Sequence, residues 1–496
     1  MRCCCVWLLS SLFCPCAGLT PVLRHRVDHG VLRPVLVATR PAQRLVLMDG
    51  AQAAKNNVQF LDQVRIRQAV RSSAATIASL GSFLIADRWL KRATAAAGLS
   101  FPAPLIGMAA IFTVLSALSA SGNERLADSI VGAAKPALDW LARWLPLFYV
   151  PPLVVLPLAC RAAAAADLTK VGLIVGLGMP VSLLFTAKLA VAIRSLAQTE
   201  LLPVAPVPPM PPYNRGHVLA CAAAAVSGLA GAVALPAGTA AARLCGAIFG
   251  LSATAGGLLL GSMPSAAKPY LPHPVMVTAL CASLSCALLG AATGTGYFAS
   301  LGAYLAKGSG APGAGDLLMG FLGSVVLSFG FRIYGQRALL RRHAAEVLGC
   351  AGGSALASML VTCAAGRLLA LPPPLTLAVA PRSVTVALAL PIAAQLGAPA
   401  ELMPVCAASV VLTGLLGAAL AQKLLDAAGH KDDPITRGLS TAGSAHGLGT
   451  AALAAGEPES LPFCALAYGL IGVAANAWCA VPAVRGLLRS IAGATP

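Results

Sequence analysis

Two stretches carry residues whose types are hard to explain as lipid-facing helix. The first, APRSVTVALALPIAAQLG at 380–397, places Arg382 directly after Pro381, with Ser383 and Thr385 alongside, in an otherwise apolar run. Proline is favoured as the first residue of a helix, and a helix starting there would leave the amides of Arg382, Ser383 and Val384 without acceptors. Those amides, the helix dipole and a guanidinium together form an anion site. Arginine holds a carboxylate through two parallel hydrogen bonds, so the chemistry suits a small organic acid. The plainer alternative makes Arg382 an interfacial loop residue.

The second stretch, RGLSTAGSAHGLGTAALAAGEPES at 437–460, has Gly438, Gly443, Gly447 and Gly449 to loosen the backbone. Ser440, Thr441, Ser444 and Thr450 add hydroxyls, and His446 sits among them. Unpaired amides cost several kcal/mol in hydrocarbon, so a broken helix survives only inside protein or beside water. This stretch therefore reads as the lining of a cavity at membrane depth, or else as a loop between helices. Together the two stretches nominate Pro381, Arg382, Ser383, Thr385, Ser440, Thr441, Ser444, His446, Gly447, Gly449 and Thr450 as substrate-binding residues. His446 is the one group beside the break with a reference pKa near neutrality, about 6.5, which makes protons a candidate second partner.

The acids point the same way. All 17 fall at segment ends, in loops or in the leader, Glu346, Asp426, Asp433, Glu457 and Glu459 among them. None lies deep in an apolar run, where it would mark a cation or proton path. An anionic substrate fits this pattern better than a sodium site.

These residues need helices to position them. At 496 residues, 58% hydrophobic and 10% charged, with a mean hydropathy of +0.80, the chain is an all-α polytopic membrane protein. Apolar runs predict about twelve transmembrane segments. Four lie at 70–90, 101–120, 137–160 and 169–193, and eight more at 217–237, 240–263, 274–306, 315–334, 345–371, 375–397, 400–422 and 458–482. Two interrupted segments about 55 residues apart predict discontinuous helices in an inverted repeat. Residues 1–65 read as a bipartite leader. An apolar signal-peptide core at 6–13 precedes an acid-poor, Arg-rich stretch with the pattern of a transit peptide. Such a leader serves entry into a plastid, including a complex plastid reached through the secretory route. Residues 66–200 form a four-helix membrane domain, 201–214 (containing LPVAPVPPMPP) a stiff linker, and 215–490 the transport domain. The first domain has no polar break comparable to the two in the second, so the site is expected in the second alone.

Other classes fail on specifics. The net charge of +18 is spread over leader and loops without a basic face, which argues against nucleic acid. The 15 cysteines form no zinc spacing or disulfide framework. GLGTAA follows no strand and precedes no Lys, and no HExxH or GxSxG occurs. No enzyme, cofactor or metal is expected.

FPAPLIGM and RWLPLFYVPPLVVLP resemble the holin-like LrgA proteins. APRSVTVALAL, TAGSAHGLGTAA and EPESLPFCALAYGL resemble the LrgB proteins, most closely over 437–485. Their fusion behind a plastid leader is similar to the plastidal glycolate/glycerate translocators. The resemblance covers about residues 70–490 and implies a multi-pass carrier of the plastid inner envelope. Such a carrier exports photorespiratory glycolate and returns glycerate. Where this chain has Arg382, bacterial relatives carry Lys, which keeps the charge and alters its geometry. The alternative implied by the bacterial names is a holin-like channel or permeability regulator, assembled as a homo-oligomer through the first domain.

Overall fold

The computed structural model describes residues 41–99, 101–161, 163–197, 213, 215–263, 273–306 and 311–494. Residues 1–40 of the expected leader, and the Pro-rich linker apart from Tyr213, lie outside the described residues. The described chain is helical throughout, and no strand occurs among those residues.

In order, the main helices are α1 (Pro41–Ala96), α2 (Ala103–Ala120), α3 (Glu124–Trp144), α4 (Ala165–Ala197) and α5 (Arg215–Ala234). They continue as α6 (Ala240–Ser262), α7 (Pro274–Ala292), α8 (Leu322–Gly335), α9 (Ala344–Leu368) and α10 (Pro373–Val379). The last five are α11 (Val386–Leu396), α12 (Met403–Ala427), α13 (Pro434–Gly456), α14 (Leu461–Ala480) and α15 (Pro482–Ile491). Among the described residues, ten helical segments are long and apolar enough to cross a membrane. The run at 70–90 is not one of the ten; it forms part of α1. The run at 375–397 is divided between α10 and α11.

Pro373 and Pro434 begin the two broken segments, where a missing N–H costs nothing because a helix start has no acceptor for it. Asp433 caps α13 by accepting from the Thr436 amide at 3.0 Å. Small residues let the helices approach closely. A Cβ on Gly417 of α12 would stand 2.1 Å from Ala445 Cβ of α13, the kind of contact that drives helix association where lipid is as apolar as side chains.

The helix before the linker does not pack apart from the helices that follow it. α4 packs against α9, α12 and α13, and thus runs through the middle of the transport domain. Two of the acids at segment ends are nevertheless buried. Asp87 is 3% exposed and Glu346 fully buried, the latter beside His343 at 3.6 Å. Both lie near segment ends, and neighbouring helices cover them.

Candidate functional site: two helical hairpins meeting on one helix

α13 is a hairpin. It departs from helical geometry at His446 (φ 42°, ψ −138°), a left-handed conformation that a side chain adopts only where the surroundings enforce it. A straight helix would hold residues 437 and 457 about 30 Å apart. Instead Arg437 Nε donates to Glu457 Oε2 at 2.7 Å, and Gly438 lies against the Ser460 carbonyl. The chain therefore enters at 434, turns at His446 and returns to the same end. Its first arm, 434–445, is about 18 Å long, roughly half the ~30 Å hydrocarbon thickness.

α10 and α11 form a second hairpin. A Cβ on Gly397, at the end of α11, would lie 3.3 Å from Arg489 Nη1. Pro373, at the start of α10, packs on Gly493. Both roots thus sit at the C-terminal end of α15, on Arg489 and on Gly493 just past it, and the turn at 380–385 is the tip. Pro381 does not begin a helix, contrary to the sequence expectation; it lies in this turn, and α11 begins at Val386. The turn engages two of the amides expected to be free. Arg382 N–H donates to Val379 O and Val384 N–H to Pro381 O.

The hairpins enter from opposite ends of α4. Lys170, near one end, donates to Ala370 O at the root of the α10–α11 hairpin (3.0 Å). Arg194, about 36 Å along the helix, pairs with Asp433 at the root of the α13 hairpin. Between them α4 carries Ser182 and Thr186, about 6 Å apart, and each meets one tip. Arg382 Nη2 donates to Ser182 Oγ at 3.0 Å. A Cβ on Gly443 would lie 2.8 Å from Thr186 Oγ1 and 3.2 Å from Ser354 Oγ.

α9 closes this track with Ser354, Ser358 and Thr362, one per turn. Arg382 Nε donates to Thr362 Oγ1 at 3.1 Å, and Ser383 Oγ to Ser358 Oγ at 2.8 Å. Arg382 is fully buried and lies flat over Gly178 of α4, where a Cβ would stand 2.4 Å from Nη2. All its hydrogen-bond partners are neutral, and among the described residues no carboxylate lies within ion-pair distance. Its Nη1 and the Ser354 hydroxyl have no partner. A buried cation with an unfilled donor is chemistry for an anion.

The remaining nominated residues divide. Thr385 hydrogen-bonds Tyr149 at 3.4 Å, and Gly447 faces the Tyr468 ring. Ser440 and Ser444 donate back to carbonyls of their own arm. Thr441 accepts from Gln422 of α12, and Thr450 reaches the His446 carbonyl and Cys464 of α14. Gly449 packs against Thr441 and Ala445 across the turn. His446 Nε2 donates to Val410 O of α12 at 2.9 Å, so α12 holds its ring, whereas α4 and α9 hold Arg382. Sequence reasoning missed Ser182, Thr186, Ser354, Ser358 and Thr362. Their signal was present as hydroxyls repeating every fourth residue along apolar helices, which puts them on one face.

The LrgB-like family matches residues 258–484, which include both hairpins and α9. Over 448 residues, 90% of this chain and 85% of the relative, the sequence is 42% identical to plastidal glycolate/glycerate translocator 1, chloroplastic, of Arabidopsis thaliana. The chain belongs to this family of LrgB-like translocators. It is accordingly a multi-pass membrane transporter. The α4 residues Gly178, Ser182 and Thr186 precede the segment that the LrgB-like family matches. No solved structure matches the chain.

Proposed function

We propose that the chain is a secondary carrier exchanging small 2-hydroxy acid anions, glycolate and glycerate, across the plastid inner envelope. The observation that supports this reading best is Arg382. Its guanidinium leaves the tip of the α10–α11 hairpin and lies between α4 and α9, with neutral partners only and with Nη1 unfilled. A monovalent carboxylate bound there neutralises the charge in place. Two hairpins entering from opposite ends suit alternating access, because either can withdraw while the other keeps the anion covered. The name of the Arabidopsis relative supplies the substrate class and the plastid. Glycolate leaving and glycerate entering is the direction assigned to the exchange.

Counterflow in proteoliposomes tests the reading. Glycolate uptake should rise when glycerate is loaded inside. Arg382→Ala should abolish uptake of both anions, and Arg382→Lys should retain partial flux at roughly ten- to a hundredfold weaker affinity, since one charge-assisted contact is lost. Wild-type kinetics in both variants would remove Arg382 from the site. A holin-like pore would instead leak without competition between substrates.

A further inference from the structure

A cavity of about 420 Å³ lies apart from both hairpins, among α5, α6, α7 and the short helix Tyr297–Tyr304. Every residue that lines it falls within 232–314, so neither the hairpins nor α4 and α9 contribute a wall. α5 and α7 carry outward-facing apolar side chains: Val226, Val233, Leu280, Leu284 and Leu288 are all more than half exposed. Val233 also lines the cavity, so its wall continues into a surface that faces hydrocarbon.

The interior asks for nothing polar. Along α6 the wall runs from Arg243 to Gly250, about 10 Å, or a third of the ~30 Å hydrocarbon thickness. At the Gly250 level stand Phe249 and Tyr304, 6% and 5% exposed. The Tyr304 hydroxyl pairs with Thr254 at 2.9 Å, Ser285 donates to the Ala282 carbonyl at 2.7 Å, and the Ser300 hydroxyl lies 3.4 Å from that of Thr295. With these hydroxyls engaged, the walls present chiefly alkyl and aromatic carbon, and no acid lines them.

The mouth differs in kind. Arg243, in the first turn of α6, is the one charged residue of the lining; it is exposed, and among the described residues no carboxylate lies within ion-pair distance. α6 and α7 run antiparallel, since Gly246 meets Leu289 while Gly261 meets Pro274. Thr293 and the exposed Thr295, just past α7, therefore stand at the Arg243 end. Arg161 lies over the Phe298 ring at 4.3 Å, at the start of the short helix, and brings a second guanidinium to this end. An unpaired cation at the head of an apolar slot between membrane helices suits an amphiphile whose head is an anion and whose tail is a hydrocarbon chain. The planar guanidinium matches the oxygens of a phosphate.

We propose that this cavity binds an anionic membrane lipid, with an acyl chain in the slot between α6, α7 and the Tyr297–Tyr304 helix and the phosphate on Arg243 and Thr295. A phosphatidylcholine has the same phosphate, but its choline cation opposes the two arginines, so a lipid with net negative charge is preferred.

Native mass spectrometry of the purified full chain, in detergent mixed with phosphatidylglycerol or phosphatidylcholine, tests this. The wild type should retain phosphatidylglycerol preferentially. Arg243→Gln changes an exposed side chain and should fold; it should weaken phosphatidylglycerol retention on the order of tenfold and leave phosphatidylcholine unchanged. Ala299→Leu combined with Ala303→Leu, both exposed on the short helix and both lining the slot, should lower retention of either lipid. Circular dichroism melting checks that both variants are folded. Equal retention of the two lipids by the wild type, or phosphatidylglycerol retention unchanged in both variants, would overturn the proposal. So would a thermal shift with inorganic phosphate alone that matches the shift with phosphatidylglycerol, since the acyl chain would then play no part. A double-leucine variant that passes from dimer to monomer while keeping its lipid would assign the slot to a second copy of the chain instead.

Discussion

A guanidinium costs several kcal/mol at membrane depth unless something satisfies it. Around Arg382 that task falls to Ser182, Thr362 and the bare backbone of Gly178, all neutral. Gly178 leads to a sharp prediction. A methyl there would overlap Nη2 at 2.4 Å, and the rigid α4 backbone cannot yield, so Gly178→Ala should displace the guanidinium. We expect the folded variant to lose glycolate uptake nearly as completely as Arg382→Ala, measured by counterflow. Full uptake would mean that Arg382 tolerates another position. His446 is held differently. The sequence makes it a candidate proton carrier; its Nε2–H is given to the Val410 carbonyl and its ring fills the space over Gly414, so Nδ1 is the nitrogen that would take a proton. Its geometry is that of a residue tying the hairpin tip to α12.

At the scale of elements, ionic contacts anchor the α13 hairpin at its root. Arg437 donates to Asp426 at 2.6 Å and to Glu457, and Arg194 pairs with Asp433. Burial pushes the Asp433 carboxyl up, but hydrogen bonds from Arg194 and Thr436 more than offset it and hold the group below the ordinary carboxylate range. A depressed carboxyl contributes stability that is present above its unfolded pKa, about 3.9, and lost as pH falls through the lower folded value. Thermal unfolding of the wild type and Asp433→Asn should therefore differ at neutral pH and converge below about pH 4. A gap independent of pH would assign the effect to something other than the carboxylate charge, since an asparagine still caps the helix.

For the whole molecule, the course of α4 decides what can be removed. The Pro-rich linker and the absence of a polar break in 66–200 made the first domain look dispensable for binding. In the structure α4 reaches both hairpin roots and both tips, and Tyr149 comes from the same N-terminal half. A chain beginning near Tyr213 should therefore fail to bind glycolate. Adding residues 66–200 as a separate polypeptide should restore binding if the two parts assemble. Thermal shift with glycolate measures both. Binding by the truncated chain alone would place the site wholly within 215–490.

The sequence by itself determined the class of the molecule, because hydropathy, glycine content and the shortage of charge are properties of composition that no packing can reverse. It also located both helix breaks, since a proline beside an arginine and a run of glycines around a histidine are local misfits in any apolar helix. Whether a break is a kink or a reversal was not legible, because it depends on contacts 20 residues apart such as Arg437 with Glu457. Nor was the role of α4, whose Ser182 and Thr186 are ordinary hydroxyls until Arg382 and Gly443 arrive from 200 and more residues away. Glu346 likewise lies near a segment end in the sequence yet is fully buried in the fold. Burial and partnership are properties of pairs of helices, and only the tertiary structure says which helices are paired.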